Sequence, residues 1–182
     1  MPYLTEHKQK FGDLRVALHE GNRTQLKRTA NGGNTVLFVY PPNEEEDYIA
    51  KAKELYPSGH FVDVGELMVK SIDSVGLNDF KEFYQSHIST PDVVFTNEDP
   101  SSLFSLIINE ISAASQHGKT TFLIHTGALE GTGIENVNIM EHKSVMSQGI
   151  PLVIFYPATY KNDDLLFLNH KPASKYRCEL VK

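Results

Sequence analysis

A chain of 182 residues, 40% hydrophobic and 22% charged, is long enough to bury roughly 70% of its unfolded surface, so one domain needs neither disulfide nor metal to hold a core. Its single cysteine, Cys178, excludes an internal disulfide and points to a reducing compartment. No apolar run approaches the ~20 residues of a membrane span, and Met1 to Lys10 carries no apolar core of a secretory signal, so the expected address is the cytoplasm with no membrane partner.

The net charge of −6 is uneven: residues 1–34 hold six Lys/Arg against three Asp/Glu, leaving −9 on the remainder. An acidic body repels a phosphate backbone, so direct nucleic-acid binding is not expected. Leu4, Phe11, Leu14 and Leu18 recur at helical spacing and predict an amphipathic helix over 4–20. A short helix over Arg23–Ala30 follows, and Asn31-Gly32-Gly33-Asn34 forms a turn. Thr35 to Tyr40 is an unbroken apolar run rich in β-formers, as in a central strand covered on both faces, and Pro41-Pro42 ends it.

Asn43 is placed to cap a helix, with Glu46 three residues on and an acidic first turn. Tyr48, Ile49, Ala52, Leu55 and Tyr56 form that helix's expected buried stripe. His60 to Val64 reads as a second strand. Helical stripes return at Leu67, Met68 and Ile72, then at Leu77, Phe80 and Tyr84. Pro91 to Thr96 fits either a short strand or a packed loop, and 101–115 is a clear helix through Leu103, Leu106, Ile107, Ile111 and Ala114.

Thr120–His125 and Pro151–Tyr156 are further apolar strands, with a helix between them through Ile134, Val137, Met140 and Val145. Leu165–Leu168 and Tyr176–Val181 read as strands whose short connection suits an antiparallel edge pair. The order predicts an α/β fold: a three-layer α/β/α sandwich around a mostly parallel, Rossmann-like sheet with antiparallel C-terminal edge strands. One domain over 1–182 is expected, with residues 1–31 a helical segment packed on it.

In such sheets ligands bind beyond the carboxyl ends of the strands, here Tyr40-Pro41-Pro42, Asp63, His125-Thr126-Gly127 and Tyr156-Pro157-Ala158. Two prolines and three glutamates after the first strand oppose phosphate binding, and no Walker A loop is present. Gly127 to Gly133 is the one glycine-rich loop after a strand. It reads as an anion nest or as a turn needing positive φ at Gly127 or Gly131. His125 beside Glu130 suggests an acid–base pair, or a hydrogen-bonded structural histidine. Neither HExxH nor a His/Cys cluster points to metal, and no GxSxG elbow to a nucleophile. Ser101-Ser102 suits a helix cap, and alternation turns Cys178 inward as a small core residue. The ligand-binding candidates are Tyr40, His125, Thr126, Gly127 and Tyr156, with no catalytic residue, metal or cofactor assigned.

Several segments together resemble one known family. They are Val36 to Tyr40 with its proline and acidic residues, the strand into Thr126-Gly127, and above all Pro151-Leu152-Val153-Ile154-Phe155-Tyr156-Pro157-Ala158-Thr159-Tyr160, followed by Leu165 to Leu168 and Lys175-Tyr176-Arg177. The chain resembles the BrxB family, a component of bacterial BREX phage-resistance systems. It departs from the family at Ala158, where a glycine is usual. It also departs at Glu130 to Gly133 and Asn136-Val137-Asn138, where the family carries a proline and an Arg-x-His pair. The resemblance implies a non-enzymatic, protein-binding part in a phage-defence assembly beside a methyltransferase, a phosphatase-like protein and a large ATPase. The N-terminal helix and the C-terminal edge strands are the expected docking surfaces. The alternative is a small-molecule or anion-binding protein, or an enzyme, using the strand-end cleft.

Overall fold

The computed structural model describes residues 2–182, with side chains from Thr5 onward. The chain runs through α1 (Pro2–Leu18), α2 (Arg23–Thr29), β1 (Thr35–Tyr40), α3 (Glu45–Leu55), β2 (His60–Asp63), α4 (Val64–Val75), α5 (Leu77–Ser86), α6 (Pro91–Phe95) and α7 (Leu103–Gln116). It continues through β3 (Thr121–Ile124), α8 (Asn136–Met140), α9 (Lys143–Met146), β4 (Leu152–Lys161), β5 (Asp164–Phe167), β6 (Lys171–Pro172) and β7 (Cys178–Val181). The fold is α/β, built on a mixed sheet whose central strands are parallel in the order β2-β3-β4-β1-β7.

β1 is an internal strand, between β4 and β7, and every one of its residues is buried, as a strand covered on both faces requires. Its register with β4 sets Val36 beside Val153 and Phe38 beside Phe155. Side chains alternate across a strand, so two separate clusters form. Val36, Phe38, Tyr40, Phe122, Ile124, Val153, Phe155 and Val181 pack with α1, α2 and α3; the Phe38 and Phe155 rings stack at 4.7 Å. Leu37, Val39, Val62, Leu123, Ile154 and Tyr156 pack with α4, α6, α7, α8 and α9.

The stripe of α1 is consumed by this packing: Phe11, Leu14 and Ala17 are buried, Leu18 is partly so, and the Leu4 side chain lies outside the described residues. Among the described side chains of this helix, Val16 is the large apolar one that remains exposed.

Five local expectations are corrected. Pro91 to Phe95 is a helix, opened by a proline at its first turn where the missing N–H costs nothing. Asn43 sits inside a 3-10 turn over Pro42–Glu44, and α3 begins at Glu45 with no side-chain cap. Leu55 is 45% exposed and drops out of the expected buried stripe of α3, whereas Tyr56, just past the helix, is partly buried with its ring 5.0 Å from that of Phe122. The single helix expected between β3 and β4 is two short ones broken at Glu141-His142, where His142 caps α9 through Ser144. The fifth correction concerns the C-terminal strands. They do not pair with each other: β5 lies antiparallel against the outer half of β4 and against β6, while β7 joins β1 in parallel. The length of β4 explains this, because it runs on through Pro157 to Lys161 and offers β5 a neighbour at once.

Asn34 fastens the entry to β1. Its buried amide donates to the carbonyls of Gln148 and Ile150, each at 3.0 Å, and lies 3.4 Å from that of Val145. Next to it Gly33 has no room for a side chain. A Cβ there would run into the Arg177 carbonyl and lie 2.9 Å from that of Ala30.

Candidate functional site

The parallel register places the carboxyl ends of β2 and β3 side by side, with Asp63 opposite Ile124. β3 then stops at His125, whose φ of 53° and ψ of 38° lie in the left-handed region. A non-glycine residue there is uncommon, and such conformations gather where a side chain must be aimed. The turn is held from below by Thr126, buried, whose hydroxyl donates to the Phe155 carbonyl at 2.7 Å.

The imidazole of His125 is thereby set between two carboxylates from other elements. Nδ1 lies 2.6 Å from Asp63 Oδ2, and Nε2 lies 3.2 Å from Glu46 Oε1 in the first turn of α3. Only the imidazolium has an N–H on each nitrogen and so donates to both at once. Partial burial pulls the His125 pKa down. The hydrogen bond and charge of Asp63, followed by Glu46 and Glu45, outweigh it, so the net shift is upward. Asp63 serves a second purpose: its Oδ1 accepts from the Glu66 amide at 3.2 Å and caps α4.

An open depression adjoins this cluster, lined by Asp63, Gly65, Glu66, Val69 and His125. Glu46 is on its solvent side, with a side chain 84% exposed. Rotation of that glutamate would uncover Nε2 to an incoming group. Chemically the arrangement can hold a cationic group, or give and take a proton at Nε2 with Asp63 fixing the ring.

The other candidates from the sequence do not converge here. Tyr40 and Tyr156 point to opposite faces of the sheet, each inside a different core cluster. Tyr40 donates to Glu45 Oε1 at 2.7 Å, and its pKa is driven far up, first by burial and then by the Glu45 charge. Tyr156 stacks on Phe167 at 4.8 Å and its pKa is likewise raised, chiefly by burial. It borders a narrow crevice of about 10 Å³, room for about one water. A Cβ added at Gly127 would meet Leu168 and Pro157 at ordinary contact distances.

Glu130 is not the partner of His125; it sits 3.5 Å from His170. In the glycine-rich loop it is Gly131 and Gly133, not Gly127, that take positive φ. A side chain at Gly133 would collide with Asp92 of α6. The loop amides of Glu130, Thr132 and Ile134 are engaged by the Gly127 and Leu129 carbonyls and the Thr132 hydroxyl, which leaves them no free N–H for an anion. Ser102 caps α7. Cys178 is buried, and its thiol pKa is pushed up to about 12 by that burial. Among the described residues no group of three or more His, Cys, Asp or Glu is arranged to hold a metal ion. Among them, too, no helix is long and apolar enough to cross a membrane.

Asp63 and Glu46 escape a reading of sequence motifs because they stand 62 and 79 positions from His125. The available signal was Asp63's place at the carboxyl end of a strand. Compared with known proteins, the chain matches no family model, no curated protein and no solved structure.

Proposed function

We propose that the chain is a protein-binding component of a multiprotein assembly of the BREX phage-defence type, working in the cytoplasm beside a methyltransferase, a phosphatase-like protein and a large ATPase. The observation that carries the protein-binding reading is a concentration of exposed apolar side chains on three consecutive helices. Val69 and Val75 of α4, Leu77 and Phe83 of α5, Ile88 after it and Val93 of α6 are each between 38% and 68% exposed. They are six of the nine large hydrophobics exposed among the described residues, gathered in one short stretch of chain. α5 buries none of its residues fully; it is held through Phe80 and Tyr84, whose rings lie 5.9 and 6.2 Å from that of Phe95. Exposed apolar side chains this frequent in one stretch of chain support a protein-binding reading.

The defence setting rests on the resemblance to the BrxB family in β1, in the strand into Thr126-Gly127 and in the segment from Pro151 through Arg177. The acidic body supports contact with proteins rather than with nucleic acid. Helices against both faces of a mostly parallel sheet support the finer reading of the fold as a three-layer, Rossmann-like sandwich. The test is purification of the tagged protein from its native host with mass spectrometry of what accompanies it. A methyltransferase and a phosphatase-like protein in stable ratio are expected; recovery of the protein alone refutes the reading.

The His125 cluster favours a second reading, a small-molecule binder or enzyme using the strand-end cleft. Its carboxylates suit a cationic ligand rather than an anion. A panel of small amines in a thermal-shift assay decides it: stabilisation that disappears in H125A supports the reading, and no stabilisation by any amine removes it.

A further inference from the structure

We infer that Glu46 is a proton-controlled cover over the strand-end depression, closed while the His125 ring carries two protons and open once it carries one. The contact at issue joins His125 Nε2 and Glu46 Oε1, 3.2 Å apart. It is attractive only while Nε2 bears a proton, because a carboxylate accepts hydrogen bonds and donates none.

A neutral imidazole has a single N–H, and its surroundings decide which nitrogen keeps it. Asp63 Oδ2 lies 2.6 Å from Nδ1 and its side chain is 21% exposed, whereas Glu46 lies at 3.2 Å and is 84% exposed. The shorter and less solvated contact is the stronger, so the last proton stays on Nδ1. Nε2 then turns a lone pair toward a carboxylate oxygen. Two acceptors face each other, and Glu46 swings into solvent. Loss of one proton converts a tie into a repulsion.

The neighbours confine the movement to this one side chain. The two preceding glutamates are anchored: Glu44 Oε2 lies 3.2 Å from His7 Nε2, and Glu45 accepts from the hydroxyl of buried Tyr40 at 2.7 Å. Tyr48 and Ile49 follow in the same helix and are buried, so α3 stays seated. His125 is fixed as well, by Asp63 on one side and by the Thr126 hydroxyl bonded to the Phe155 carbonyl. The charged groups around the ring are Asp63 at the end of β2, Glu45 and Glu46 of α3, and Glu66 of α4, which borders the same depression. Glu130, further along the loop after His125, is turned to His170. The acids favour the doubly protonated ring, which sets the switch above the ordinary imidazole value of about 6.5. Open, the depression offers a basic nitrogen beside the carboxylates of Asp63 and Glu66. It then takes a hydrogen-bond-donating cation such as an alkylammonium ion, which the imidazolium repels. The choice of ligand rests on the strand-end-cleft reading; the cover does not.

The experiment is an NMR titration of the full isotope-labelled chain from about pH 5 to about pH 9, reading both ring nitrogens of His125 and the side-chain carboxyl of Glu46, first with no ligand. Both nitrogens carry protons at the acid end. At the basic end the proton remains on Nδ1 alone, the Glu46 carboxyl signal shifts with the same midpoint as the ring, and the through-space contact between the two side chains is lost. E46Q alters an exposed position and reverses the outcome, because its amide N–H donates to the bare Nε2. There the contact persists at the basic end, and the ring midpoint falls for want of the Glu46 charge. Methylammonium, added last, binds several-fold more tightly at the basic end than at the acid end.

The inference is overturned if the neutral ring keeps its proton on Nε2, or if the Glu46 signal does not move with the ring. It is also overturned if native and E46Q titrate with one midpoint, since the contact would then carry no charge of its own. The two readings fail separately. Methylammonium without effect at any pH refutes the ligand, and a cover that stays shut in the ligand-free titration refutes the switch.

Discussion

Replacing His125 separates the two things its position does. The H125A variant deletes the imidazole but keeps a side chain in the left-handed region; H125G deletes it and also removes the backbone cost. The Asp63–His125 contact is short, at 2.6 Å, but the imidazole is 30% exposed, so a partly solvated pair of this kind contributes about 0.5–1 kcal/mol. The left-handed conformation costs an L-residue roughly 1–2 kcal/mol, part of which glycine forfeits to its freer unfolded chain. H125A should therefore lose up to about 1 kcal/mol, or about 2–4 °C in Tm for a chain of this size, and H125G should lie close to the native protein.

The pH dependence carries the sign. The pKa of His125 is raised in the folded state, so its contribution is complete below the unfolded value of about 6.5 and fades as pH climbs through the folded one. Urea unfolding at about pH 6 and about pH 9 should show the gap between native and H125A narrowing at the higher pH. The gap between H125A and H125G, a backbone effect, should not move. D63N, which keeps a capping oxygen for α4, should weaken the pH dependence with little loss of the cap. A native-to-H125A gap that is flat, or that widens with pH, would refute the claim that the imidazole gains a proton-stabilising environment on folding.

Three further outcomes are expected. Asn34→Ala should cost about 2–3 kcal/mol in denaturant unfolding, since it leaves buried carbonyls without their donor, and Asn34→Asp should cost more by setting an anion against them; a smaller loss for the aspartate would contradict the assigned hydrogen bonds. Gly33→Ala should destabilise by about 1–3 kcal/mol or more, because the new methyl meets backbone rather than a movable side chain; an unchanged melting temperature would show that the turn gives way. Cys178, buried with its pKa pushed up to about 12, should resist a thiol reagent in the native protein and react along the unfolding transition; rapid native labelling would place it at the surface.

Much of the architecture was legible in the order of residues because burial on both faces leaves a plain mark. Val36 to Tyr40, Phe122 to Ile124 and Leu152 to Phe155 are unbroken apolar runs, and all three are central strands. The helix through Leu103, Ile107 and Ile111 keeps its period of about 3.6. Pairing left no comparable mark. Cys178 to Val181 is buried at its two ends and partly buried between them, which fits an antiparallel partner as well as a parallel one, and the choice was made by β1's open edge. Pro91 to Phe95 has β-forming valines and phenylalanine, but a proline at the first turn and packing of Val94 and Phe95 into the core made a helix of it. The strand ends were identified as the place for a site. Which of their side chains meet was decided by strand order and by the sheet's two faces, so His125 found Asp63 and Glu46 while Tyr40 and Tyr156 were driven apart.

The place of β1 between β4 and β7 has a consequence for how the molecule is made. Its two neighbours in the sheet begin at Leu152 and Cys178, so both are synthesised more than a hundred residues after it. At about 5–20 residues per second a nascent β1 waits on the order of ten seconds for its first partner. Throughout that interval Val36-Leu37-Phe38-Val39-Tyr40, uncharged and rich in β-formers, has the composition that seeds intermolecular β-pairing. The early helices α1, α2 and α3 cover one side of it, but the hydrogen-bonding edges stay open until the late strands arrive. That makes β1 the segment where a trigger chaperone or slowed translation would have the greatest effect on yield.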